Sequence, residues 1–187
     1  MMELQIKSRS NEGSEGLEPF ASFPAALRRA VERGLERATK LLERAVAANA
    51  RTPLGAATTA PLVELARSLT REITTEAGRQ VGSVFLAPPA DQYGIFVEVG
   101  TRPHWPPPAA IEGWVRRRLG VTSDRQAREL AFLIGRKIAR VGTPGRFLFE
   151  RALEENQDRI VAILEEEIDS EFRILNSEKR LTRNLGF

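Results

Sequence analysis

An α+β fold is what this chain of 187 residues predicts, and three observations predict it. Apolar residues recur at helical spacing from Leu27 to Asn49 and again from Phe149 to Leu175, which marks a long helix near each end. Between them, Ser68 to Val99 holds three short runs rich in Thr, Ile, Val and Phe, separated by Ala77-Gly78 and Pro88-Pro89. Short links between such runs predict an antiparallel meander. A sheet this small needs a helix over its apolar face, so the long N-terminal helix is expected to pack on it.

The first element is an arm. Leu4 and Ile6 alternate with polar residues, and Asn11-Glu12-Gly13-Ser14-Glu15-Gly16 reads as a flexible linker. Residues 1–21 are therefore expected to be flexible, with a strand that orders on assembly. Ser22 is placed to cap the first helix, with Pro24 in its first turn. Leu27, Val31, Leu35, Ala38, Leu42, Ala45, Val46 and Asn49 form its stripe, and Pro53 and Gly55 end it near Ala50. A loop follows to Ala60, then a helical turn over Pro61 to Arg67. Strands are expected at Ser68 to Glu76, Gln80 to Ala87 and Tyr93 to Val99, the last with Ile95, Val97 and Val99 on one face.

Pro106-Pro107-Pro108 cannot continue a sheet but suits a helix start. Ala109 to Leu119 then reads as a short helix with Ile111, Trp114, Val115 and Leu119 on one side. Ser123 or Asp124 caps the next helix, Arg125 to Arg140, whose apolar positions are Leu130, Phe132, Leu133, Ile134 and Ile138. After Gly142-Thr143-Pro144-Gly145, the last helix starts near Arg146. Its stripe is Phe149, Leu153, Ile160, Leu164, Ile168, Phe172 and Leu175. Residues 22–175 make a single domain, and 176–187 are expected to be a flexible, polar, basic tail.

Composition narrows the chemistry. Cysteine is absent, so disulfides and thiolate catalysis are excluded, and His104 is the only histidine. No apolar run is long enough to span a membrane and no signal-peptide core opens the chain, so a soluble protein in the cytoplasm where it is made is expected. The net charge is +3 but uneven. Arginines and one lysine fill the first helix from Arg28 to Arg44. More cations occupy the middle, from Arg116 to Arg140. Carboxylates crowd the last helix from Glu150 to Glu171. Solvated helix faces account for this, as does complementary docking between identical subunits.

Catalytic patterns are thin. His104 has no sequence pattern supplying a nucleophile or an orienting carboxylate, so it reads as a loop residue. Glu165, Glu166 and Glu167 are adjacent on a helix and diverge around its axis, which argues against a shared cation and leaves them as a candidate subunit contact for the Arg116–Arg118 patch. Gly142 and Gly145 fit no phosphate-binding loop. Arg116, Arg117 and Arg118 can face DNA or an acidic neighbouring subunit, while Trp114 beside them lies on the apolar side. Glu98 is either an edge charge that discourages strand pairing or half of an ion pair with Arg102. No cofactor or metal site is expected.

One stretch says more: Tyr93-Gly94-Ile95-Phe96-Val97-Glu98-Val99-Gly100-Thr101-Arg102-Pro103, with Gly142-Thr143-Pro144-Gly145-Arg146-Phe147 some forty residues later. The pair resembles the tail-completion, or neck, proteins of long-tailed bacteriophages, the family of the minor tail protein Z type. That family often has a P-x-(D)TG-x-L-x-x-S stretch between the first helix and the sheet; this chain has Thr52-Pro53-Leu54-Gly55, then an insertion, then Leu65-Ala66-Arg67-Ser68-Leu69. The resemblance implies a structural virion protein, not an enzyme, made in the host cytoplasm. It implies a ring, commonly hexameric, at the head-proximal end of the tail. Partners would be further copies of itself, the tail tube or tail terminator, the head–tail connector, and DNA passing through the channel, with no membrane. Motif positions carried over are Glu98, Gly100, Thr101, Arg102, Pro103, Gly142, Thr143, Pro144, Arg146 and Phe147. A basic nucleic-acid-binding module is the alternative, from the isoelectric point near 9.8 and the arginine-rich middle. A small hydrolase using His104 is a third.

Overall fold

The computed structural model describes residues 3–7, 24–51, 60–76 and 78–184. Ser22, the linker at 11–16, Ala77, the loop at 52–59 and residues 185–187 lie outside them. The expected class holds: the protein is α+β, with a long helix near each end and a small antiparallel sheet.

The first helix, α1, runs Ala25–Arg51, and the Pro24 carbonyl accepts from the Arg28 N–H at 3.1 Å. Its stripe is buried as the periodicity predicts, through Leu35, Ala38, Leu42 and Val46. Helix α2, Ala60–Arg67, adds Leu62 and Leu65 to the same cluster. Strands β2 (Leu69–Glu76) and β3 (Arg79–Leu86) pair antiparallel, from Leu69 opposite Leu86 to Glu76 opposite Arg79. Alternation turns Gly82, Val84 and Leu86 of β3 toward α1, where Gly82 lies against Leu35 and Thr39. The Thr39 hydroxyl, buried in that contact, is satisfied by the Leu35 carbonyl at 2.8 Å.

The third strand is not where the alternation put it. Tyr93 to Val99 lies within a helix, α3, Asp91–Val99. The free edge of β3 is taken instead by β1, Glu3–Lys7, with Leu4 opposite Val84 and Ile6 opposite Gly82. The sheet order is β1-β3-β2, so the arm's strand pairs within its own chain. Both edges of β3 are occupied, and residues 93–99 have no central strand to join. A short β-branched run fits either period. The helical period serves this one better: Gly94 and Glu98 fall one turn apart on the buried side, while Ile95, Phe96 and Val99 face out.

Two further helices form a hairpin. Helix α4, Pro108–Leu119, starts at the expected prolines and ends on Gly120 in the left-handed region. Helix α5, Asp124–Val141, is capped by Ser123, whose hydroxyl accepts from the Gln126 N–H. Val115, Ala127 and Ala131 make a small cluster of their own, with Ile111, Trp114, Leu130 and Ile134 packed against it. Trp114 is thus a packing residue. Phe132 and Leu133, expected inside, are 55% and 56% exposed, and Leu119 faces out as well.

The last helix, α6, runs Leu148–Asn184. It passes the expected end at Leu175, so residues 176–184 are helical and not a tail. α6 lies antiparallel to α1, since Asn49 meets Leu148 while Arg33 meets Glu171. Phe149, Ala152 and Ile160 are buried between them, whereas Phe172 is 48% exposed. Arg33 reaches Glu167 and Glu171 at 3.0 and 2.9 Å, and Arg37 reaches Glu166 and Glu167 at 2.8 and 2.7 Å. The basic first helix and the acidic last helix therefore answer each other within one chain.

Two outcomes follow from this packing. Phe149, 3% exposed in the main cluster, should cost about 3–5 kcal/mol when truncated to Ala, read by denaturant unfolding. An unchanged midpoint would remove Phe149 from the core. The Glu167 carboxyl sits below its ordinary 4.5, lowered first by hydrogen bonding from Arg37 and then from Arg33. A carboxyl lowered by folding adds stability that is complete above its unfolded value and lost as pH falls through the folded one. The stability gap between the protein and Glu167→Gln should therefore shrink as pH falls from about 7 to about 3. A gap that stays constant would mean the pairs contribute nothing.

Candidate functional site

Gly100-Thr101 and Gly142-Thr143 begin in the same way, and the fold uses them in the same way. Each glycine ends a helix, Gly100 after α3 and Gly142 after α5, with φ of 79° and 71°. Each threonine then enters a two-stranded antiparallel ribbon, formed by β4 (Gly100–Thr101) and β5 (Thr143–Pro144), with Thr101 opposite Thr143. The hydroxyls lie 2.8 Å apart. The Thr101 N–H donates to the Thr143 hydroxyl at 3.1 Å, and the Thr143 N–H donates to the Thr101 hydroxyl at 3.2 Å. A Cβ at Gly100 would collide with the Thr143 carbonyl, and one at Gly142 with the Thr101 carbonyl. Both the left-handed φ and the close strand approach demand glycine at each position.

Past the ribbon the chain reaches Phe147, at φ 49° in the left-handed region that non-glycine residues seldom adopt. This twist aims five successive amides at the end of α3. The Arg146 N–H donates to the Val97 carbonyl at 2.9 Å and the Phe147 N–H to the Glu98 carbonyl at 3.0 Å. The next three go to the Glu98 carboxylate: Leu148 at 2.6 Å, Phe149 at 3.1 Å and Glu150 at 3.0 Å. Glu98 is 6% exposed. Neither expectation for it holds, since it is neither an edge charge nor the partner of Arg102. It is the N-terminal cap of a helix that starts fifty residues later. Asn49, at the end of α1, donates to the Leu148 carbonyl at 3.0 Å and ties the same helix start to α1.

The ten motif residues thus gather at one junction of α3, the ribbon and α6. Arg102 and Pro103 are exposed where the chain leaves β4. His104 follows, exposed, its Nδ1–H donating to the Arg102 carbonyl at 2.9 Å. Trp105 and Pro106 lie over Gly135 of α5, and Trp105 meets Phe132 with ring centroids 5.8 Å apart. These contacts set the α4–α5 hairpin on the ribbon.

The two charged triplets behave otherwise. Arg116 pairs with Asp124 across the hairpin at 2.8 Å, and Arg117 and Arg118 are exposed. Glu166 and Glu167 are engaged by Arg37, while Glu165 points away from α1 into solvent. The glutamates are therefore not one docking patch. Asn49, Arg33 and Arg37 are the structural partners that sequence reasoning did not single out. Their signals were a polar residue on an apolar stripe and matched i, i+4 spacing of Arg33/Arg37 with Glu167/Glu171.

Chemically the junction is a structural joint. Its carboxylate is fully used by backbone donors, and among the described residues no group of three or more His, Asp or Glu side chains could hold a metal ion. No described helix is long and apolar enough to cross a membrane. Around the junction, Ile95, Phe96, Val99, Val141 and Phe147 are exposed large apolar side chains on neighbouring segments. Comparison with known protein families, with curated proteins and with solved structures finds no match.

Removing the cap should be felt. Glu98→Ala leaves three amides, two of them buried, without their carboxylate and should destabilise the protein by roughly 1.5–3 kcal/mol, with Glu98→Gln recovering part of the loss. Urea unfolding of the two variants checks this. Equal stability of Glu98→Ala and the parent would mean that the carboxylate does not hold α6.

Proposed function

We propose that this chain is a structural protein of a tailed-bacteriophage particle or a related phage-like particle. It acts as a neck or tail-completion subunit, forming a ring at the head-proximal end of the tail that helps join tail to head and leaves a channel for DNA. The observation that carries this reading is the meeting of the two resembling motifs, forty-two residues apart, in one glycine-threonine ribbon. Residues that a family resemblance picks out separately serve one joint. That is expected if they define a scaffold and not a reaction.

The surface supports the same reading. Apolar side chains left in water around the joint suit burial against another protein. The proposal includes no enzymatic activity, and its partners are copies of this chain, the tail tube or terminator, and the connector. A nucleic-acid-binding module is the second reading, favoured by the exposed cations Arg117, Arg118, Arg128, Arg136, Lys137 and Arg140 on the hairpin.

Deleting the gene for this chain from the genome that encodes it should yield heads and tails that fail to join, seen by electron microscopy. Supplying the chain in trans should restore them, with the protein present in purified particles. Normal joined particles without it would overturn the proposal. Absence from particles combined with strongly salt-dependent binding of duplex DNA would favour the second reading.

A further inference from the structure

Two exposed stripes lie away from the α1–α6 ion pairs. On the outer face of α5 stand Arg125, Arg128, Phe132, Arg136 and Arg140, all exposed, with Arg125 held by Glu129 at 2.9 Å. On the outer face of α6 stand Glu154, Asp158, Val161, Glu165 and Asp169, all exposed. At 100° per residue the first set spans about 120° of arc and the second about 80°, so each is a true stripe. Each spans sixteen residues, or fifteen steps, about 22 Å at 1.5 Å per residue.

Their patterns match. Around Phe132 the cations fall seven and four residues before and four and eight after. Around Val161 the carboxylates fall seven and three before and four and eight after. Each stripe is an apolar centre flanked mainly by one sign of charge, cationic on α5, where Glu129 is taken up by Arg125, and anionic on α6. Because the pattern is nearly symmetric about its centre, the helices can meet in either direction with charges in register. Neither stripe is spent inside the chain on the other: the carboxylates that pair with α1 are Glu166, Glu167 and Glu171, one helix face away.

We propose that the α5 stripe of one copy of this chain docks on the α6 stripe of a second copy, with Phe132 against Val161 and flanking arginines against flanking carboxylates. Opposite charges at the rim steer and register such an encounter, and the apolar centre loses water. The two stripes are different surfaces, so the contact is head-to-tail. It leaves one stripe of each end copy free, and repetition closes a ring or extends a filament. The ring role of this contact rests on the neck reading, but the contact itself rests on the stripes.

The test is light scattering of the purified full chain at low ionic strength over a range of concentrations. Two triple variants are used, R128E/R136E/R140E on α5 and D158K/E165K/D169K on α6, with circular dichroism reporting that each stays folded. Neither touches the α1–α6 ion pairs. The parent should self-associate, and each variant alone should associate roughly tenfold or more weakly. The six-fold variant, and an equimolar mixture of the two triples, should recover association. A parent that stays monomeric to millimolar concentration overturns the proposal. So do triples that associate normally, or that are weakened without recovery on combination. If R128E/R136E/R140E loses duplex-DNA binding while association is unchanged, the α5 stripe is a nucleic-acid face. Charge-dependent association of a protein absent from particles would remove the neck reading and keep the contact. Presence in particles with charge-independent association would do the reverse.

Discussion

A single carboxylate at the end of a nine-residue helix decides where the longest helix begins. Every helix leaves amides without partners at its start and carbonyls without partners at its end. Here two helices solve each other's problem. The last carbonyls of α3, from Val97 and Glu98, take the amides of Arg146 and Phe147. The first amides of α6 take the Glu98 side chain. Burial makes this exchange consequential, because in a low-dielectric site an unpaired amide or an unpaired carboxylate is expensive. The helix dipole adds to it, since the positive end of α6 meets the negative charge. Phe147 accepts an unusual φ so that five amides can reach α3 at once.

The joint matters because of what hangs on it. On one side, α6 is delivered to α1, with Asn49 tying the two ends together at Leu148. From there α1 and α6 run side by side, burying Phe149, Ala152 and Ile160 and setting Arg33 and Arg37 against Glu166, Glu167 and Glu171. On the other side, the ribbon carries the α4–α5 hairpin, whose small apolar cluster belongs to it alone. The result is a helix-and-sheet body and a cationic hairpin, connected through two Gly-Thr turns that tolerate no Cβ.

Charge follows the same division. Arg33 and Arg37 of α1 and Glu166, Glu167 and Glu171 of α6 are engaged where the two helices face each other. What remains for a partner is on the outer faces: cations on α5, carboxylates on the far side of α6, and apolar side chains around the joint. Exposed surface of this kind is uncommon unless something covers it, which is why the assembly reading and the α5–α6 contact arise from the same molecule.

Much of this was legible in the residues. The stripes of α1 and α6, the proline start of α4, the Ser123 cap and the β2–β3 hairpin are local patterns of periodicity, capping and turn chemistry, and local patterns survive in sequence. The importance of the Gly-Thr motifs was legible too, though not their use. Three decisions belonged to the tertiary structure. Residues 93–99 became helix because β1 already occupied the edge of β3 that they would have joined. Glu98 became a cap because a start point fifty residues away was brought within 2.6 Å of it, a distance that no spacing rule encodes. Phe132, Leu133 and Phe172, apolar at helical spacing, stay about half exposed, Phe132 with its ring against Trp105. The sequence by itself determined which segments are helices with an apolar side. Only the packing decided which of those sides meet, since that depends on contacts between residues far apart in the chain.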